Sequence, residues 1–134
     1  MRPRALFVVA GVALALLGGC SADASEDGRV VVLRIEHSRF IPDRLEVEPG
    51  STVTFVVTNG DPIDHELIIG DETVQDVHEK GTEAEHGAKP GEISIPAGER
   101  RSTTYTFEDA GELIYGCHIP GHYAFGMRGI IDIR

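Results

Sequence analysis

Short β-branched stretches that end in turn residues recur along most of this 134-residue chain. Two of them read RVVVLRIEH at residues 29–37 and STVTFVVTN at residues 51–59. Six further stretches follow the same pattern: residues 45–47, HELII at 65–69, EISIPAG, RRSTTYTFED, GELIYGC and MRGIIDIR at 127–134. Such stretches are typical of β-strands, and a series of them separated by turns is typical of a sandwich or a barrel. We therefore predict an all-β domain of seven to eight short antiparallel strands within residues 29–134.

One segment, around residues 71–91, interrupts this series of strands because it is too long and too polar for a hairpin turn. Asp71 is predicted to cap a short helix that runs through Lys80, with Val74 and Val77 facing inward. The remainder is predicted to be a loop. Long loops in compact domains are often functional or mobile, so this insertion is a candidate for a function of its own.

The N-terminal residues predict export from the cytoplasm. An apolar run of thirteen residues, Ala5 to Leu17, follows two arginines. It is too short to span a bilayer as a helix, which takes about 20 residues. The run ends at Gly-Gly-Cys20, which resembles a bacterial lipoprotein signal. We expect residues 1–19 to be a signal peptide and Cys20 to carry lipid, with residues 20–28 as a lipid-anchored polar tether. Secretion with cleavage elsewhere and an uncleaved anchor remain alternatives, and each places the domain outside the cytoplasm.

The charge of the exported part excludes some partners. Residues 20–134 contain 10 Lys and Arg against 22 Asp and Glu, a formal net charge of −12. Such a surface repels nucleic acid and anionic lipid headgroups. A cationic partner protein or cation-rich surroundings fit this charge better, and we expect membrane association through the N-terminal lipid.

The cysteine count points to a metal. The chain has two cysteines, and if Cys20 carries lipid then Cys117 has no intramolecular partner. A lone thiol in an oxidising compartment is a liability unless it is buried or bound to a metal. Cys117 opens the stretch CHIPGHYAFGM, which places two histidines and a methionine within the next ten residues.

These side chains can converge on one ion. Cys117 is predicted to end a strand and Met127 to begin the next, with His122 in the loop between them. The best candidate for a fourth ligand is His65, because it follows a turn and opens a strand near an end of the domain. Two imidazoles, a thiolate and a weak axial thioether form the blue-copper arrangement. Zinc sites more often use three or four strong ligands, and iron–sulfur clusters need more cysteines.

The Cys-x₄-His-x₄-Met loop, together with the upstream DHEL at residues 64–67, resembles the small cupredoxins of the plastocyanin and azurin superfamily. The resemblance covers residues 29–134 and implies an eight-stranded Greek-key sandwich. It also implies one copper ion, Cu⁺ or Cu²⁺, with His65, Cys117 and His122 as equatorial ligands and Met127 as the axial ligand. The loop is longer than that of plastocyanin and differs by one residue from that of azurin, so the geometry and colour of the copper site stay open.

The remaining histidines are weaker candidates for metal binding. His118 flanks the cysteine as in multicopper oxidases, but the chain lacks their His-x-His pairs, so we predict a surface residue or one that supports a ligand. His78 and His86 lie among several glutamates and could bind a second, weaker ion, although a solvated acidic loop is the preferred interpretation. His37 is predicted to end a strand with no special role.

A site with four protein ligands leaves no open position for a substrate, so we do not expect an enzyme. The leading prediction is a monomeric, membrane-tethered one-electron carrier. His122 would be the exposed ligand, and Tyr123, Phe125 and Pro120 would form an apolar rim where a redox partner docks. The alternative is a copper-binding module for acquisition, delivery or resistance, whose partner would be a copper-handling protein. A weaker third possibility is a structural or sensory domain that has kept the fold.

Overall fold

The structure is a computed structural model that describes residues 28–134. The predicted signal peptide (1–19), the lipidation site Cys20 and nearly all of the tether (20–28) therefore lie outside the described residues. Within the described part, no helix is both long enough and apolar enough to cross a membrane.

The described residues form nine strands and one short helix. They are β1 (Arg29–Ile35), β2 (Phe40–Ile41), β3 (Arg44–Val47), β4 (Ser51–Asn59), β5 (His65–Gly70), α1 (Glu72–Glu79), β6 (Glu92–Ile95), β7 (Arg100–Phe107), β8 (Gly111–Gly116) and β9 (Arg128–Ile133). The strands form a four-stranded sheet in the order β2-β1-β4-β7 and a five-stranded sheet in the order β3-β9-β8-β5-β6. The predicted sandwich is confirmed. It has one strand more than the expected eight, and one of the nine, β2, is only two residues long.

The sheets are mixed rather than wholly antiparallel. β1 pairs in parallel with β4 from Arg29 opposite Val53 to Ile35 opposite Asn59, and β3 pairs in parallel with β9. Parallel neighbours need a crossover connection. Between β1 and β4 the chain makes this crossover through β2 and β3. Strand β3 belongs to the other sheet, and the chain returns from β3 into β4. Strand patterns in the sequence carry no information about such a crossing.

The core lies between the two sheets, where alternate residues of the strands meet. In β4, Val53, Phe55 and Val57 point inward and are fully buried, and their neighbours face outward. Phe55 packs edge to face on Phe107, with ring centroids 6.2 Å apart. The same alternation turns Asn59, at the end of β4, into the interior. A close-packed interior of this kind holds the strand ends in fixed positions.

The helix begins where the sequence predicts. The Asp71 side chain accepts a hydrogen bond of 3.0 Å from the backbone N–H of Val74, so Asp71 is the N-cap. Lys80 is the C-cap, and Gly81 follows it with a positive φ of 96°. The helix therefore occupies the first part of the insertion, as predicted, and the chain then continues into a loop.

The inward face of α1 differs from the prediction. Val77 is 52% exposed, whereas Gln75 and His78 are buried and Val74 is half-buried. The reason is that the helix packs over strand ends whose carbonyls need donors. The Gln75 amide donates hydrogen bonds to three of them, those of Ile68, Gly70 and Ile114. A polar side chain satisfies these buried carbonyls and a valine cannot.

Candidate metal centre

Three of the four predicted ligands come together at one end of the sandwich. His65 opens β5, Cys117 directly follows β8, and His122 lies in the loop between β8 and β9. Cys117 Sγ lies 3.4 Å from His122 Nδ1 and 3.9 Å from His65 Nδ1. The two Nδ1 atoms are 3.2 Å apart. One sulfur and two imidazole nitrogens thus face a common point.

The spacing of these donors fits a single transition-metal ion. Such ions bind imidazole nitrogen at about 2.0 Å and thiolate sulfur at about 2.3 Å. Donor atoms bound to the same ion in a trigonal plane therefore lie about 3.5 to 3.7 Å apart. The observed separations, 3.2 to 3.9 Å, bracket these values. A thiolate with two imidazoles suits copper in both oxidation states.

Met127 is held against the two loop donors by backbone hydrogen bonds. Its N–H donates to the carbonyl of His122 at 3.0 Å, and its carbonyl accepts from the N–H of Cys117 at 3.2 Å. The Met127 side chain is fully buried. The predicted fourth ligand therefore lies at the base of the same loop, shielded from water.

A carboxylate sets the orientation of His65. Asp61 Oδ2 lies 3.0 Å from His65 Nε2, and the Asp61 carboxylate also accepts two hydrogen bonds of 2.7 Å from the backbone N–H groups of His37 and Ser38. Since an ionised carboxylate can only accept, His65 carries its hydrogen on Nε2 and turns the Nδ1 lone pair toward Cys117. This is the usual arrangement behind a metal-binding histidine.

Burial sets the protonation state at this end of the site. Burial lowers the pKa of the nearly inaccessible His65 imidazole, more than the hydrogen bond that His65 donates to Asp61 raises it, so the ring is neutral and ready to bind a metal. Burial alone would raise the pKa of Asp61, but the hydrogen bonds from Ser38, His37 and His65 outweigh it and hold this pKa below its usual value. Asp61 is therefore a carboxylate at neutral pH.

Sequence reasoning missed Asp61 and also Asn59, which shapes the turn before His65. The Asn59 amide donates to the carbonyls of Ile63 at 2.8 Å and Ile95 at 3.0 Å, and its side-chain oxygen accepts from the N–H of Asp61 at 2.9 Å. The alternation of inward and outward residues in β4 would have identified Asn59. Val53, Phe55 and Val57 face the core, and Asn59 is the next inward-facing residue of this series.

The Cys117 thiol is fully buried. Burial raises its pKa to about 11, while hydrogen bonds from the backbone N–H groups of Ile119 and Glu66 act in the opposite direction. Without a metal the thiol is therefore protonated at neutral pH. The two N–H groups already point at the sulfur and stabilise the thiolate that a metal needs.

His118 is not a surface residue, because its side chain is only 1% exposed. His118 Nδ1 lies 2.8 Å from Glu79 Oε2, and His118 Nε2 lies 2.7 Å from Gln75 Oε1. The ring also stacks on Tyr123, with centroids 4.5 Å apart. Both ring nitrogens are thus occupied, so His118 supports the loop behind Cys117 and is not among the converging donors, in agreement with the second of the two predictions for it.

The predicted apolar rim is present in part. Phe125 is 79% exposed and Pro120 is exposed, while His122 between them is only half-buried. Tyr123 is half-buried, since its ring stacks inward on His118. Of the three predicted rim residues, Phe125 and Pro120 are therefore the exposed ones.

Comparison with known proteins agrees with this geometry. The sequence model of the family described as copper binding proteins, plastocyanin/azurin family, matches residues 30–134. The chain is 34% identical to the copper-resistant cuproprotein CopI of Rubrivivax gelatinosus, over 87% of this chain and 73% of that protein. It is 26% identical to the protein of the same name from Pseudomonas aeruginosa, over 100% of this chain and 99% of that protein.

A solved structure supports the fold. Auracyanin from Roseiflexus castenholzii, in its dithionite-reduced form, superposes with a TM-score of 0.67 at 20% identity. The superposition covers 80% of this chain and 98% of auracyanin. The cupredoxin-type sandwich expected from the sequence is thus confirmed, as is copper as the metal of this family.

Replacing Asp61 by asparagine tests the orientation of His65. We expect Asp61→Asn to weaken copper binding about 10- to 100-fold, because the His65 ring loses its charged acceptor. Competition with a copper chelator of known affinity measures the change. Asp109→Asn, a surface carboxylate in the turn between β7 and β8, is the matched control. Equal affinities for the two variants would contradict this role of Asp61.

The raised pKa of Cys117 predicts a pH dependence of copper binding. Below pH about 11 the free thiol is protonated, so binding must release its proton. Affinity should therefore rise with pH, about tenfold per unit for this one proton, between roughly pH 7.5 and 9.5. A pH-indicator dye measures the released proton, and Cys117→Ser should release one proton fewer. A pH-independent affinity over this range would show that the thiolate does not bind the metal.

Proposed function

Because the chain belongs to the plastocyanin/azurin family of copper-binding proteins, we propose that it carries single electrons through one copper ion bound by His65, Cys117, His122 and Met127. The observation that carries this proposal is the buried Cys117 sulfur, which faces two imidazole nitrogens at 3.4 and 3.9 Å. Copper bound there supplies the one-electron couple between Cu⁺ and Cu²⁺. The protein supplies the ligands, holds them in place and excludes water.

Three of the four proposed ligands are held by contacts that do not depend on the oxidation state of the metal. Asp61 fixes the His65 ring, backbone N–H groups fix the Cys117 sulfur, and Met127 is tied into the loop by its own backbone. Because these supports belong to the sandwich, the ligands have little freedom to move when the charge of the site changes. Electron transfer is fast when the ligands move little between the two oxidation states of the metal.

His122 is the proposed exit for the electron. Its ring is half-buried, in contrast to the fully buried Cys117, and it lies next to the exposed Phe125 ring and Pro120. Two exposed apolar side chains offer only a small contact area, which suits brief docking rather than a permanent complex. The net charge of −12 over residues 20–134 would steer a cationic redox partner toward the protein.

We further propose that the protein works outside the cytoplasm, attached to the membrane through lipid on Cys20. The support for this is the N-terminal pattern of arginines, an apolar run and Gly-Gly-Cys20. We propose no catalytic activity, because a site with four protein ligands offers no free position to a substrate.

A second candidate function is copper resistance, with the copper itself as cargo. The relatives from Rubrivivax gelatinosus and Pseudomonas aeruginosa are both named copper-resistant cuproproteins. A thiolate and a thioether favour Cu⁺, so the same four side chains suit a protein that sequesters or delivers copper. The two functions use one site and differ in whether the copper ion leaves it.

Replacement of Cys117 tests the copper site itself. Protein loaded with Cu²⁺ should show a strong visible absorbance band from charge transfer between the Cys117 thiolate and copper, and Cys117→Ser should lose it. Met127→Leu is the matched control, because loss of an axial ligand should shift the reduction potential and leave the thiolate band in place. Absorption and EPR spectra provide the readout. Wild-type protein that stays colourless with Cu²⁺ would contradict the proposal.

The two candidate functions separate in one kinetic comparison. Copper-loaded protein is mixed with a cationic ruthenium ammine, and separately with a strong Cu⁺ chelator. For an electron carrier we expect many rounds of reduction and oxidation while the copper stays bound. Rapid transfer of the copper to the chelator, on the timescale of electron exchange, would instead favour the cargo function.

A further inference from the structure

A second group of donor side chains lies outside the copper centre. Glu92 Oε2, at the start of β6, is 3.6 Å from His78 Nε2 on α1 and 3.4 Å from His86 Nδ1 in the following loop. The three side chains are 14%, 5% and 3% exposed, respectively. The solvated acidic loop preferred from the sequence is therefore wrong for these two histidines. His78 lies on α1, which packs over β5 and β8, and the loop that carries His86 is attached to Ser94 of β6. The local sequence reveals neither contact.

The orientation of His78 leaves one nitrogen without a partner. His78 Nδ1 lies 2.8 Å from the carbonyl of Val74. Because a carbonyl can only accept, Nδ1 carries the hydrogen and Nε2 presents a lone pair. Among the described residues, this buried Nε2 has no hydrogen-bond partner. It faces the Glu92 carboxylate, which is also an acceptor. Two buried acceptors in this position are unfavourable unless a cation lies between them.

His86 presents the same arrangement from the other side. Its Nε2 lies 3.4 Å from Thr82 Oγ1 and 3.6 Å from Glu66 Oε2, so the hydrogen on Nε2 has acceptors nearby. The Nδ1 lone pair then faces Glu92. The loop is fixed at this point, because the His86 N–H donates to Ser94 Oγ at 2.9 Å and its carbonyl accepts from the Ser94 N–H at 3.1 Å. Two imidazole lone pairs thus converge on one carboxylate oxygen.

We propose that His78, His86 and Glu92 form a binding site for a divalent transition-metal ion, separate from the copper centre. Bonds of about 2.0 to 2.2 Å to imidazole and carboxylate imply donors about 3.3 to 3.5 Å apart around a tetrahedral ion. The observed separations of 3.4 and 3.6 Å are close to this range. Two imidazoles and a carboxylate, with no sulfur, suit Zn²⁺ and Cu²⁺ rather than Cu⁺.

An ion can reach this site from solvent, and glutamate side chains lie beside it. A surface cleft of about 530 Å³ is lined by His78 and His86 together with Glu66 and Glu83, and it gives an ion a route from solvent. Glu83 Oε2 lies 4.0 Å from His86 Nδ1 and can approach as a further ligand. Lys80 lines the same cleft, and Lys89 Nζ lies 3.6 Å from Glu92 Oε2. The Lys89 side chain is 61% exposed, so it can turn away into solvent when a metal ion enters.

Metal titration of copper-loaded protein tests this site while the first one is filled. In isothermal titration calorimetry we expect one further equivalent of Zn²⁺ to bind, with the visible band of the copper centre unchanged. In a parallel titration, a second equivalent of Cu²⁺ should give an additional EPR signal without a new thiolate band. The visible band reports on the copper centre and the calorimetry on the second site, so a failure of either assignment is recognised separately.

Variants identify the ligands. His86→Ala and Glu92→Gln should each weaken Zn²⁺ binding by at least about tenfold, as expected when a metal site loses a ligand. Glu85→Gln, an exposed glutamate in the same loop, is the matched control and should leave binding unchanged. Circular dichroism and the intensity of the copper band show that each variant is folded.

Two results would overturn the proposal. The first is the absence of any Zn²⁺ or Cu²⁺ binding beyond the copper centre, which would mean that a proton on His78, paired with Glu92, is the cation in this cluster. The second is metal binding that both His86→Ala and Glu92→Gln leave intact, which would place the ion elsewhere on the acidic surface.

Discussion

The hydrogen bond between Asp61 and His65 joins the two sheets at the copper centre. Asp61 is held by backbone N–H groups of His37 and Ser38, in the turn that leaves β1 of the four-stranded sheet. His65 opens β5 of the five-stranded sheet and reaches Asp61 at 3.0 Å. Asn59 ties down the same turn from the end of β4. His65, a proposed copper ligand, is thus fixed by both layers of the sandwich, and its ring orientation depends on contacts between the sheets rather than on a local turn alone.

Burial determines the protonation state of two of the proposed ligands, Cys117 and His65. The Cys117 thiol is excluded from water, so it keeps its proton until a metal replaces it, whereas the buried His65 ring is already neutral. The hydrogen bonds from Ile119 and Glu66 to the sulfur are present without the metal. The proposed site is therefore organised without the metal, and copper binding there would release the proton of Cys117. The same organisation supports both electron transfer and tight storage of copper. The donor geometry therefore does not distinguish these two functions, whereas the rates of copper loss and electron exchange do.

The sequence predicts the features that depend on neighbours along the chain. The strands follow from alternation and turn residues, and Cys117, His122 and Met127 share one short loop. The sequence does not predict features that arise where distant elements pack. Val77 faces solvent and Gln75 faces inward because carbonyls at the ends of β5 and β8 need a donor. His118 is buried for the same reason, since α1 supplies Gln75 and Glu79 to its two ring nitrogens.

The insertion that interrupts the strand pattern connects the two groups of donors. Helix α1 contributes Gln75 to the support of His118, beside Cys117, and His78 to the second cluster. Glu66 makes the link direct, because its carboxylate accepts from the N–H of His118 at 2.8 Å and its other oxygen lies 3.6 Å from His86. The backbone N–H of the same residue points at the Cys117 sulfur. A cation bound at His86 Nδ1 would make the Nε2–H of the same ring a stronger donor to the Glu66 carboxylate, which also accepts from the N–H of His118, the residue after Cys117. An ion in the second cluster would therefore act on the copper centre through one shared side chain rather than through the solvent.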